Sequence, residues 1–165
     1  MEKLIEQGNL ALALEMQQAG RIIEAKSKCL GVLKASPKHP TAWNLLSFLE
    51  HQAGNGEGSI HAFREAIAVQ PDFADAHFNL GNIYTFQGRP KEAAAAYRDY
   101  LTLNPNDGAA HFHLVSALLA LSDWAQAVPS LRATLKLAPD HIDGWTNLGY
   151  ALKMLGRYEE AVEAL

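Results

Sequence analysis

ADAHFNLGNIYTFQGRPKEAAAAYRDYLTLNPND, residues 74–107, decides the fold. Apolar residues step by three or four through two blocks, the pattern of amphipathic helices. Gly88 separates the blocks and can adopt the left-handed backbone that ends a helix. Pro90 suits the first turn of the second helix, where a missing N–H costs little. Pro105 closes the stretch, because proline cannot continue a helix and biases its predecessor away from one.

The same 34-residue spacing runs outward in both directions. Prolines stand at Pro37, Pro71, Pro105 and Pro139, and glycines at Gly20, Gly54, Gly88 and Gly156, with Ser122 in the remaining slot. Leu12, Leu46, Leu80, Leu114 and Leu148 share the period, as do the small residues Ala25, Ser59, Ala93, Ala127 and Ala161. Four residue classes on one period mark an internal repeat. The spacing predicts an all-α chain with helix pairs at 6–19 and 22–35, 40–53 and 57–69, 74–87 and 90–103, 108–121 and 124–137, and 142–155 and 158–165. One pair cannot bury its own apolar stripe, so pairs must stack. The small residues permit helix axes about 8–10 Å apart. Cys29, Phe63, Tyr97, Leu131 and Leu165 are expected to fill the space between pairs.

Some positions depart from the pattern. Asn9 and Ala13 make the first unit divergent, as terminal repeats often are. The run from Gly54 to Ser59 looks like a phosphate loop, yet no strand precedes it and no Lys-Ser/Thr follows. It reads instead as a loosened helix start. Pro129 falls inside an expected helix and should kink it or delay its start.

The pattern resembles the tetratricopeptide repeat family. Leu80-Gly81, Tyr84, Gly88, Ala93, Tyr97 and Pro105 carry the resemblance, joined by Trp145, Leu148-Gly149 and the run from Gly156 to Ala161. It implies a right-handed superhelical solenoid of antiparallel helix pairs. The 165 residues amount to about 4.9 repeats in a single array, 1–165, with units at about 6–39, 40–73, 74–107, 108–141 and 142–165. In that family the first helices of successive pairs line a concave groove. Helical geometry then nominates the stripe opposite the packing residues. It comprises Asn44, Phe48, His51 and Gln52; Asp75, Phe78, Asn79, Asn82 and Phe86; Phe112, His113 and Ser116; and Asp143, Thr146, Asn147, Tyr150 and Lys153. Amides there can hydrogen-bond a peptide backbone. Aromatics supply apolar area.

The family's carboxylate clamp for acidic chaperone tails lacks its basic residues here. A second family mark, the asparagine ladder of O-linked N-acetylglucosamine transferases, is partial: its slot holds Ala11, Leu45, Asn79, His113 and Asn147.

Composition supplies the exclusions. Apolar residues make up 48% and charged residues 19%, and the net charge of −4 argues against a nucleic-acid partner. No run is long enough for a membrane span. The start, with Glu2 and no uninterrupted apolar stretch, argues against a signal peptide. The single cysteine, Cys29, excludes an internal disulfide framework and makes a cytoplasmic location the expectation.

Chemistry is not expected either. His111 and His113 are two apart on a helix and cannot chelate one metal together. His77 and His111 share the repeat position of Trp43 and Trp145, which points to packing. His61 should be solvated. Cys29 should be a buried thiol, and Tyr and Trp should fall mainly on packing positions. No enzyme activity, metal or cofactor follows from these residues. The expected function is a protein-protein interaction scaffold that holds a peptide or partner protein. One alternative is the recruiting arm of a larger enzyme, such as a glycosyltransferase, that continues beyond Leu165. Another is self-assembly through an uncapped C-terminal end.

Overall fold

The computed structural model describes residues 2–164. Among them are ten α-helices: α1 (Glu2–Gln18), α2 (Ile22–Ala35), α3 (Pro40–Gln52), α4 (Gly56–Val69), α5 (Ala74–Phe86), α6 (Pro90–Leu103), α7 (Gly108–Ala120), α8 (Trp124–Leu137), α9 (Ile142–Met154) and α10 (Tyr158–Glu163). No strand occurs among the described residues. All helices after the first start within one residue of expectation. Helix α1 starts at Glu2 rather than at 6, because nothing between Glu2 and Glu6 breaks a helix.

The chain divides into two compact units, Met1–Ile83 and Tyr84–Leu165, with the division inside α5. In the first unit α1 packs on α2, α2 on α3 and α3 on α4. Its core is built around Ala13, Ala25, Cys29, Val32, Ala42 and Leu49. In the second, consecutive helices from α6 to α10 pack on one another around Tyr97, Val115, Leu118, Leu131 and Leu152.

The repeated residues take the places their chemistry requires. Gly20, Gly54, Gly88 and Gly156 have φ of 73°, 78°, 67° and 73°, and Ser122 adopts 56° in the equivalent turn. Ala25, Ser59, Ala93, Ala127 and Ala161 are buried, as are Cys29, Phe63, Tyr97 and Leu131. Leu165 lies outside the described residues.

The shared Trp/His position does more than pack. Trp43 Nε1 donates to the Pro37 carbonyl at 2.8 Å, and Trp145 Nε1 to the Pro139 carbonyl at 2.8 Å. His77 Nε2 reaches the Pro71 carbonyl at 2.9 Å, and His111 Nε2 reaches that of Pro105 at 3.0 Å. A carbonyl only accepts, so each histidine carries its proton on Nε2. Either ring thus presents an N–H that ties a first helix to the turn before it.

Several expectations are corrected. The glycine-rich run does not leave a loose helix start: Asn55 Oδ1 accepts from Gly58 N at 3.0 Å and caps α4. A Cβ on Gly58 would stand 2.3 Å from Asn55 Nδ2, so glycine there makes room for the cap. Of the two outcomes expected of Pro129, a kink or a delayed start, the delay does not occur, since α8 begins at Trp124. Lacking an N–H, it leaves the Ala125 carbonyl without its helical donor. The Tyr and Trp residues divide: Tyr84 and Tyr97 are buried and Trp43, Tyr100 and Trp124 half-buried, whereas Trp145, Tyr150 and Tyr158 are exposed.

Candidate functional site

The nominated residues fall into a set on each unit. In the first unit α3 is held between α2 and α4, which turns one stripe outward. Asn44 is half-buried there, and its Oδ1 is buried without a hydrogen-bond partner among the described residues. Phe48 is half-buried and meets Phe63 edge-on, ring centroids 5.4 Å apart. His51 and Gln52 are exposed, and Gln52 Oε1 accepts from Gln17 Nε2 at 3.1 Å. On α5 Asp75 is exposed, while Phe78, Asn79 and Asn82 are half-buried. The ladder slot is not uniform: Leu45 is buried in the core, Ala11 and His113 are exposed, and Asn79 and Asn147 are half-buried.

In the second unit Phe86 is 80% exposed at the end of α5. On α7 Phe112 tilts against His141 at 4.4 Å and His113 stacks on Tyr97 at 5.5 Å. Ser116 is exposed, its hydroxyl donating to the Phe112 carbonyl at 3.1 Å. Helix α9 is capped by His141 Nδ1, which accepts from Gly144 N at 3.0 Å. Along it Asp143, Thr146 and Lys153 are exposed and Asn147 is half-buried. The Thr146 hydroxyl donates to the Ile142 carbonyl at 3.1 Å. Tyr150, half exposed, meets Trp124 edge-on at 5.3 Å.

Three of these residues converge. Thr146, Tyr150 and Lys153 line an open cavity of about 380 Å3 together with Gly149, Tyr158, Ala161 and Val162. Its walls are largely apolar, and Lys153 is its one charged lining residue. Phe112, His113, Ser116, Asp143 and Asn147 do not line it. The sequence reading missed Tyr158 and Val162 because it drew the groove from first helices alone. The available signal was their apolar character on a helix whose core position is already taken by Ala161.

The other candidate chemistry is accounted for. Burial pushes the Cys29 thiol up to about 11, so it is not poised as a thiolate. His111 is tied to Pro105 while His113 lies on Tyr97, so the pair does not converge. His61 is exposed, edge-on to Trp43 and 3.9 Å from Glu65. No group of three or more His, Cys, Asp or Glu among the described residues could hold a metal ion. No helix among them is long and apolar enough to cross a membrane.

A family profile described as tetratricopeptide repeat matches residues 49–108 and 112–165. Protein O-mannosyl-transferase TMTC3 of Mus musculus is 27% identical over 133 residues, covering 80% of this chain and 12% of that protein. The UDP-N-acetylglucosamine--peptide N-acetylglucosaminyltransferase of Caenorhabditis elegans is 34% identical over 82 residues, 50% of this chain and 7% of that protein. The chain thus spans a small part of the curated relatives it matches. Among solved structures, MamA protein superposes with a TM-score of 0.82 at 19% identity, covering 97% of this chain and 87% of that one. YrrB, described as a TPR protein with an unusual peptide-binding site, gives 0.80 at 19% identity, covering 94% and 80%. At these identities the likeness is one of fold.

Proposed function

Because the chain belongs to the tetratricopeptide repeat family, we propose that it is a non-catalytic protein-interaction module that holds a peptide or partner protein on its first-helix faces. The carrying observation is the cavity at α9 and α10, where Thr146, Tyr150 and Lys153 meet Tyr158 and Val162. Its aromatic wall is braced, because Tyr150 stands edge-on against Trp124. A ring already held by a neighbour loses little freedom when a partner covers it, so more of the burial free energy remains for binding. The peptide-binding description of the YrrB structure supports the same reading. The sequence period runs without interruption through 83–84, which supports reading 1–165 as one repeat array. The net charge of −4 supports a protein rather than a nucleic-acid partner, and the lone buried cysteine fits the cytoplasm.

A peptide array read against the folded chain tests this. Tyr150→Ala with Lys153→Ala should weaken the best peptides at least tenfold, about 1.4 kcal/mol, with circular dichroism unchanged. Asn79→Ala and Asn147→Ala probe the amides in the same assay. Undiminished binding in all three variants would remove the face from consideration. A second reading, a partner-recruiting part of a larger enzyme, is supported by the two transferases that match this chain over a small part of their length.

A further inference from the structure

The first helices α3, α5, α7 and α9 each begin one residue after the same slot of the repeat, filled by His39, Phe73, Asp107 and His141. Asp107 is a usual cap, its Oδ1 accepting from Ala110 N at 3.0 Å. Phe73 has no acceptor to offer. The two histidines do with a ring nitrogen what Asp107 does with a carboxylate. His39 Nδ1 accepts from Ala42 N at 3.3 Å, and His141 Nδ1 accepts from Gly144 N at 3.0 Å. A ring nitrogen accepts only when it carries no proton, so both rings are neutral, with their N–H at Nε2.

Protonation therefore acts selectively on these turns. An imidazolium has an N–H on both nitrogens and cannot accept, so either cap is lost when its ring takes up a proton. The added charge would also stand at the positive end of the helix. The bonds from Trp43 and Trp145 to the proline carbonyls of the same two turns do not titrate. Those from His77 and His111 use an Nε2–H that an imidazolium keeps. The charged groups around the first turn are Lys34 and Lys38, Glu6 of α1, which accepts from the Ser36 hydroxyl, and His61 and Glu65 of α4, whose His61 ring meets Trp43. Around the second they are Asp140 and Asp143, Arg132 and Lys136 of α8, and Glu160 and Glu163 of α10, while α7 contributes the uncharged Phe112 ring. No carboxylate among the described residues stands within 4.0 Å of a nitrogen of either capping ring to hold an imidazolium there.

We propose that His39 and His141 are proton-sensitive caps, and that acid opens the first turns of α3 and α9 while the bonds to the proline carbonyls persist. The neutral ring alone caps, so the stabilisation is present above the range in which histidine changes charge, about pH 5–8, and is lost as pH falls through it. Helix α9 carries Thr146, Tyr150 and Lys153, so one of the two caps lies at the start of the helix that builds the face proposed above. The caps do not depend on that reading.

The test is NMR of the 15N-labelled full chain at about pH 7.5 and about pH 5.5, two points inside that range. At the higher pH the ring nitrogens of His39 and His141 should report the Nε2–H tautomer. Amide exchange at Ala42 and Gly144, corrected for its intrinsic pH dependence, should be at least about threefold faster at the lower pH, as the loss of a cap implies. Gly58 and Gln126, capped by Asn55 and Asp123, are the internal controls and should hold their corrected rates. His39→Asn and His141→Asn each supply an oxygen acceptor at both pH values and should remove the acid response at Ala42 and Gly144 respectively. The proposal is overturned by the Nδ1–H tautomer at both rings, by an acid response at Ala42 and Gly144 no larger than at the two controls, or by Asn variants that keep the response of the parent chain.

Discussion

Cys29 and Asp107 show how placement sets the chemistry of a single residue. Burial raises the Cys29 thiol to about 11. A free thiol ionises near pH 8.5, so between about 8.5 and 11 the unfolded chain sheds this proton and the folded chain keeps it. Stability should therefore fall as pH rises through that window. Urea titrations from pH 8 to 11 should show a shallower alkaline loss in Cys29→Ala, and a disulfide reagent should label native Cys29 only as the chain unfolds. Asp107 shifts the other way. The Ala110 backbone N–H, with help from the Tyr100 hydroxyl, holds its carboxyl below the usual range. Its contribution is complete above the unfolded value of about 3.9 and is lost as pH falls through the lower folded value. Asp107→Ala should cost about 0.5–2 kcal/mol near neutral pH, the usual worth of such a cap, and should flatten the acid limb of the stability curve.

Helix ends and helix contacts set the next scale. Ser122 occupies at φ 56° a turn that glycine fills in the other copies. The left-handed region is strained for a side chain, so Ser122→Gly should raise stability by about 0.5–1 kcal/mol, read as a higher Tm. Pro129 interrupts the α8 ladder, and Pro129→Ala should stabilise the helix by about 1–3 kcal/mol. Ala93 is fully buried at a close helix contact, and Ala93→Leu should cost about 1–3 kcal/mol through overpacking. These positions were legible because each answers to a local rule of backbone or volume. The ring N–H to the proline carbonyl six residues earlier was not. Trp43 and His77 look interchangeable only once the turn has brought the carbonyl to the ring.

Over the whole molecule each repeat depends on its neighbours, so a local defect should stay local. Ala127→Leu in the second unit should lower amide-exchange protection in α7–α10 and leave that of α1–α3 intact. Loss of protection throughout would instead mean a single cooperative unit. The sequence by itself determined the all-helical class, the 34-residue period, the turn glycines, the small residues at close contacts and the family resemblance. Each is a short-range consequence of residue type, and period makes it visible. The tertiary structure alone decided which exposed residues converge. Tyr158 and Val162 join Thr146, Tyr150 and Lys153 only because α10 packs on α9. A cavity belongs to the space between elements, and that space is set by how side chains from distant positions pack.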